Sequence, residues 1–191
     1  MDPAISSTDV WLPISPKITS SPGQRSAALY RQVAEQLDVA NNPRYKPRGG
    51  NTFCNVFSVD VCAAMGADLP YWVGAAGEKA PVSDQFFEAN ANWLCAWLGN
   101  DGPRHGWTRC TAEEAVQHAQ LGQPTVVCWL NWRRVDRYHN ALGSGHIAMV
   151  IPSDSPGVRI AQAGGDNFFD GDVAAGFGAS RLPLLSYYWH P

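Results

Sequence analysis

The chain carries five cysteines and five histidines, the residue types that supply a thiol nucleophile and its base. Cys54 stands out by position. Asn51 and Thr52 are good helix caps. Phe53, Val56, Phe57, Val61 and Ala64 then recur at helical spacing, up to Gly66. The pattern predicts a helix over 52–65 with Cys54 in its first turn. Unpaired N–H groups and the helix dipole lower a thiol pKa there, and the same amides can hold an oxyanion. Cys62 and Cys128 read as core. The competing reading of Cys54 is also a small buried apolar side chain.

A thiol needs a base that takes its proton and returns it to the leaving group. His105, His118, His139 and His190 sit in loops, in polar segments or at the end of the chain. His146 follows Gly143-Ser144-Gly145 and opens the apolar run His146–Ile151, where a strand meets a loop of small residues. In the next run, Val158–Ala163, Gln162 breaks a mostly apolar pattern. Its amide oxygen can accept from one imidazole nitrogen and leave the other for sulfur. Asp166 and Asn167, just beyond in a Gly-Gly turn, are alternatives for this third position. The oxyanion falls to the Cys54 N–H, with Asn51 or Asn55 as helpers. Tyr71, Trp72, Trp107 and Trp132 are candidates to line a substrate cleft, and Trp129 flanks the strand leading to it. Each of these aromatics can equally be core.

The elements around these residues read as follows. A first helix spans 24–37. A third runs from Ser83 to about Leu98. A fourth, about 112–121, opens with the capping box Thr111-Ala112-Glu113-Glu114. Strands follow at Thr125–Leu130, His146–Ile151, Val158–Ala163 and within Leu182–Trp189; residues 44–50, 68–81 and 100–109 read as loops. Helices first and strands later argue an α+β fold, with helices packed on an antiparallel sheet. Residues 1–23 are Ser- and Pro-rich and read as an extended arm, docked through Trp11 and Leu12. Residues 24–191 read as one catalytic domain.

Several classes are excluded. A charged fraction of 16% beside 45% hydrophobic residues does not describe a disordered chain. The net charge of −3 gives no basic balance for nucleic acid, and no apolar run is long enough for a membrane helix. His and Cys lack metal-ligand spacing, and no phosphate loop is present, so neither metal nor cofactor is expected. Asp60 reads as a solvated or capping residue. Cys95 and Cys110 flank a Gly/Pro-rich loop and are candidates for a disulfide in an oxidising space.

Thr52-Phe53-Cys54-Asn55-Val56-Phe57, Gly145-His146-Ile147-Ala148-Met149-Val150 and Ile160-Ala161-Gln162-Ala163 together resemble the papain-like NlpC/P60 and CHAP superfamily of bacterial cell-wall cysteine peptidases and amidases. The resemblance covers about residues 45–168. It departs at Phe53-Cys54-Asn55, where those enzymes usually have Asp-Cys-Ser, and at Gln162, where many have His. It implies a papain-like fold with the nucleophile at a helix N-terminus. It also implies a Cys54–His146–Gln162 triad hydrolysing a peptide or amide bond in peptidoglycan. No secretory signal is legible, so such an enzyme is expected to be made in the cytosol and delivered to the periplasm or wall. It would act as an antibacterial effector with a cognate immunity protein, or as a phage lysin. The same chemistry serves a protease, deamidase or acyltransferase toxin with a protein target, and the same fold serves a binding domain without catalysis.

Overall fold

The computed structural model describes residues 12–74, 79–80, 87–131 and 145–191. The strand-forming runs meet in one sheet. β4 (Thr108–Cys110), β5 (Thr125–Trp129), β6 (His146–Val150), β7 (Arg159–Gln162), β8 (Phe168–Asp172) and β9 (Ser186–Trp189) lie in the order β4-β9-β5-β6-β7-β8. Every neighbouring pair is antiparallel. β5 and β6 are interior strands, and their register sets Trp129 opposite His146 and Cys128 opposite Ile147. A smaller sheet joins β1 (Trp72–Val73) to β2 (Lys79–Ala80) and β3 (Phe87–Glu88).

The helices are α1 (Ala27–Glu35), α2 (Cys54–Ala64), α3 (Ala91–Asn100), α4 (Ala112–Gln120) and α5 (Val173–Phe177). The architecture is therefore mixed α+β, with helices on an antiparallel six-stranded sheet. α2 is its central helix. Ten of its eleven residues are buried, and a helix apolar nearly all round belongs in an interior rather than on a surface. It packs along β6, where the Cys62 sulfur lies 3.9 Å from that of Met149. From α1, the Tyr30 hydroxyl donates to the Val150 carbonyl at 2.8 Å and ties that helix to the same strand.

The boundaries differ from the sequence pattern in several places. α2 begins at Cys54, not 52, because Arg48 and Asn51 pair their backbones across Gly49-Gly50. Both glycines have positive φ, 59° and 77°, as a two-residue turn of this kind demands. α3 starts at Ala91, where the Asn90 side chain accepts the Trp93 N–H at 3.0 Å, and it runs through Gly99. The expected loops at 68–81 and 100–109 contain β1, β2, a 3₁₀ turn (Gly102–His105) and β4. β8 and α5 have no counterpart in the sequence reading, and residues 182–184 are 3₁₀ rather than strand.

The described part of the N-terminal arm docks through backbone groups. The Gln36 side chain accepts the Ile18 N–H at 2.9 Å and donates to the Ile18 carbonyl at 2.6 Å, as a strand partner would. The Leu12 side chain is exposed, so it is not the anchor expected of it; its carbonyl accepts from Arg44 instead. Trp11 lies outside the described residues.

Candidate active site

α2 enters the core without a side-chain cap. Phe53 occupies the cap position and makes no capping bond; Arg48 stacks on its ring, 4.0 Å from the centroid. The first amides of the helix are therefore free for another acceptor. The Cys54 sulfur lies in the field of these amides and of Ile147: the backbone N–H groups of Ile147, Asn55 and Cys54 favour its thiolate form. Ile147 is the residue after His146, so the sulfur rests against the opening peptide of β6.

The environment contradicts one expectation. Position at a helix start was expected to lower the thiol pKa. Burial raises it instead, against the pull of those three amides. Cys54 is 4% exposed, and desolvating a thiolate costs more than a few amide dipoles return. The resting sulfur is a neutral thiol.

His146 is fixed by Gln162 on the neighbouring strand. Nε2 of the imidazole lies 2.6 Å from Oε1 of Gln162. The amide's orientation follows from its other end, where Nε2 of Gln162 donates to the Asp166 carbonyl at 3.0 Å. A carbonyl accepts only, so Oε1 must face the imidazole and accept from it. His146 thus carries its proton on Nε2, and Nδ1 holds a lone pair. Burial lowers the His146 pKa; the Gln162 bond opposes this and the Arg181 charge adds to it. A neutral imidazole with a free Nδ1 is a base ready to accept a proton. No hydrogen bond joins Cys54 to His146 among the described residues. The two meet through the His146–Ile147 peptide, and such contacts are often long before substrate binds.

A cleft of about 360 Å³ opens on this edge of the sheet. His146, Gln162, Trp129, Thr52, Phe177 and Arg181 contribute to its walls, with Gly164 and Gly165. Phe177 from α5 packs on the imidazole with ring centroids 4.6 Å apart. Cys54 does not line the cleft; Thr52, two residues earlier, does. Gly145 serves a purpose other than room for substrate. A Cβ there would strike the Asn92 amide oxygen and the Trp129 carbonyl. That Asn92 oxygen also accepts the Asn131 N–H at 2.8 Å, so Asn92 sits between the end of β5 and the start of β6.

The other candidates are placed elsewhere. Asn55 donates to Glu88 at 2.6 Å and to the Ala89 carbonyl at 3.2 Å; its backbone, not its amide, serves the sulfur. Asn51 is exposed in the turn with Arg48. Asn167 holds the Gly164 N–H at 2.9 Å and the carbonyls of Val39 and Tyr45, so it fixes the turn. Asp166 lines the cleft but meets Gln162 through its main chain. The Tyr71 hydroxyl donates to Asp60. Trp107 is 1% exposed and donates to the Asp68 carbonyl at 2.6 Å; it is core. Trp72 is half-buried in β1. Trp132, His139, Gly143 and Ser144 lie outside the described residues.

Asp60 is neither solvated nor a cap. It is fully buried on α2. Arg44 grips it with Nε at 2.8 Å and Nη2 at 3.2 Å, and the Tyr45 hydroxyl donates at 2.7 Å. All five cysteines are free. Cys95 faces Cys128 and the His146 carbonyl rather than Cys110.

The sequence reading missed Arg181 and Phe177. Both come from the α5 region, whose short helix and 3₁₀ turn leave no strong periodic signal. Among the described residues no cluster of His, Cys, Asp and Glu is fit to hold a metal, and no helix is long and apolar enough to cross a membrane. The site brings together a buried thiol at a helix start and an imidazole held in one tautomer. No model of a known protein family matches the chain, and no curated protein matches it.

Proposed function

We propose that the protein is a papain-like cysteine hydrolase that cleaves a peptide or amide bond in peptidoglycan. The observation that carries the reading is the Gln162–His146 bond at 2.6 Å, beside a thiol at a helix start that lies near the amide of Ile147. His146 Nδ1 takes the thiol proton as sulfur attacks the carbonyl. The oxyanion forms against the uncapped amides of α2. His146 then gives the proton to the leaving amine, and water hydrolyses the thioester. Because both groups rest neutral, proton transfer accompanies attack. Peptidoglycan as substrate, delivery to the wall, and an immunity protein in the producing cell rest on the resemblance of the three motifs.

One observation favours a second reading, a binding domain of the same fold. The sulfur is buried and stands back from the cleft. Two measurements separate them. Under the hydrolase reading, purified peptidoglycan releases muropeptides or new amines by mass spectrometry, and Cys54→Ala abolishes release while cooperative unfolding is retained. Full release by that variant overturns the mechanism. No release from peptidoglycan, with Cys54 alkylated by iodoacetamide no faster than Cys62, supports the binding domain.

A further inference from the structure

The cleft contains a cation that the proposed chemistry does not use. Arg181 is exposed and lines the same walls as His146 and Gln162. Its Nη1 donates to the Phe177 carbonyl at 2.8 Å, and its guanidinium carbon lies 4.4 Å from the centre of the Trp129 ring. One edge of the group is thus anchored and one face is stacked. No carboxylate pairs with it among the described residues. A guanidinium held this way keeps its remaining N–H donors in a fixed fork, the geometry that matches a carboxylate in two parallel bonds.

Three features make the site a receptor rather than a stray surface charge. Stacking on Trp129 and the bond to Phe177 restrict a side chain that otherwise loses rotamer freedom on binding. Gly165, in the same lining, has nothing within 4 Å of where a Cβ would sit, so this part of the wall leaves open space. The Arg181 charge also reaches the imidazole, so a ligand that neutralises it acts on the base. Among the described residues Asp166 is the one carboxylate in the lining, and its charge works against any anion that enters.

We propose that Arg181 recognises a carboxylate, so that the ligand of this cleft is a peptide or amide with a free carboxylate close to the bond presented to His146. The inference rests on the hydrolase reading for the word substrate, but its binding arm does not need turnover. N-acetylglycine carries the carboxylate and N-acetylglycinamide lacks it. Titrated into the protein and followed by NMR at the Trp129 indole N–H and the Arg181 Nε–H, the acid should shift both signals saturably and the amide should not. Arg181→Gln should weaken the acid at least about tenfold, while Arg181→Lys keeps part of the affinity but not the fork. Asp166→Asn should tighten it. Acid and amide responding alike, or Arg181→Gln leaving the response unchanged, overturns the proposal. A carboxylate-selective, Arg181-dependent response without hydrolysis of peptidoglycan leaves recognition standing and removes the reaction.

Discussion

Of the polar groups that α2 carries into an apolar interior, Cys54 and Asp60, six residues apart, are treated in opposite ways. Asp60 is completed. Arg44, Tyr45 and Tyr71 bring donors to both of its oxygens, and every charge is paired beside a hydrogen bond. Cys54 is left open. Nearby amides favour its thiolate, but no side chain completes it among the described residues, and His146, its proposed base, lies at the end of a strand with one nitrogen uncommitted, next to a cleft. A buried polar network whose members are all satisfied fixes a structure. One that stops short of completion at the edge of a cavity has a capacity to react. The difference teaches that neither burial nor an unfilled hydrogen-bond position marks a functional group on this helix, since the Ser58 hydroxyl is buried and unpartnered too; what sets Cys54 apart from Asp60 is its place at the helix start, against the peptide that follows His146.

The comparison breaks most sharply at Asp60. Asp60→Ala strands the Arg44 guanidinium in the core without its counter-charge. Removing one partner of a buried pair costs about 3–5 kcal/mol, so urea denaturation should show a loss of that size, with Cys54 chemistry altered only through unfolding. A loss below about 1 kcal/mol would mean that water reaches Arg44 and that the cluster is not the lock described here. Cys54→Ala is its counterpart, with a small effect on stability and a complete one on turnover.

Gln162→Ala tests the other half. It removes the acceptor that selects the Nε2–H tautomer and frees the imidazole to turn. General acid–base catalysis contributes about 100- to 10,000-fold, so under the hydrolase reading kcat for peptidoglycan hydrolysis should fall by a part of that. The NMR signature of the His146 tautomer should change with it. A variant with unchanged kcat and unchanged tautomer would transfer the positioning role to the Asp166 segment.

The three proposed members of the site could be singled out in the sequence because each sits at a local irregularity: a helix start, a glycine before an apolar run, and an amide within a strand pattern. The sheet order and the lock around Asp60 were not. Arg44 and Tyr45 come from a loop and Tyr71 from the approach to β1, so only the chain's path in space brings them to one carboxylate. The lone Asp60 within an apolar helix was the available signal, since a carboxylate buried on such a helix needs partners. The thiol pKa was misjudged for a related reason. A helix start can be read locally, but the depth of burial is set by β6 and α3. Tyr71 and Trp107 show the same limit: an aromatic's spacing says nothing about whether its polar end points into a cleft or at a buried acceptor.

The smallest expected effect is also the one that separates the two regions by pH. Burial pushes the Tyr45 and Tyr71 hydroxyls upward, away from neutrality. His146 moves the other way, below its ordinary value of 6.5, through burial first. The unfolded chain therefore takes up this proton before the folded one does. As pH falls below about 6.5, His146 makes the folded state progressively less stable, until the folded pKa is passed; above about 6.5 it contributes no pH dependence. A His146→Gln variant should lose that part of the slope in denaturation curves taken between neutral and acid pH, while the Asp60 cluster keeps its own. Under the hydrolase reading the same titration should set the acid limb of kcat/KM, because only neutral imidazole accepts the thiol proton. The limb should lie below 6.5 and move upward in Arg181→Gln, where a nearby positive charge no longer disfavours protonation. An acid limb unmoved by that substitution would mean that Arg181 and His146 do not share one electrostatic site.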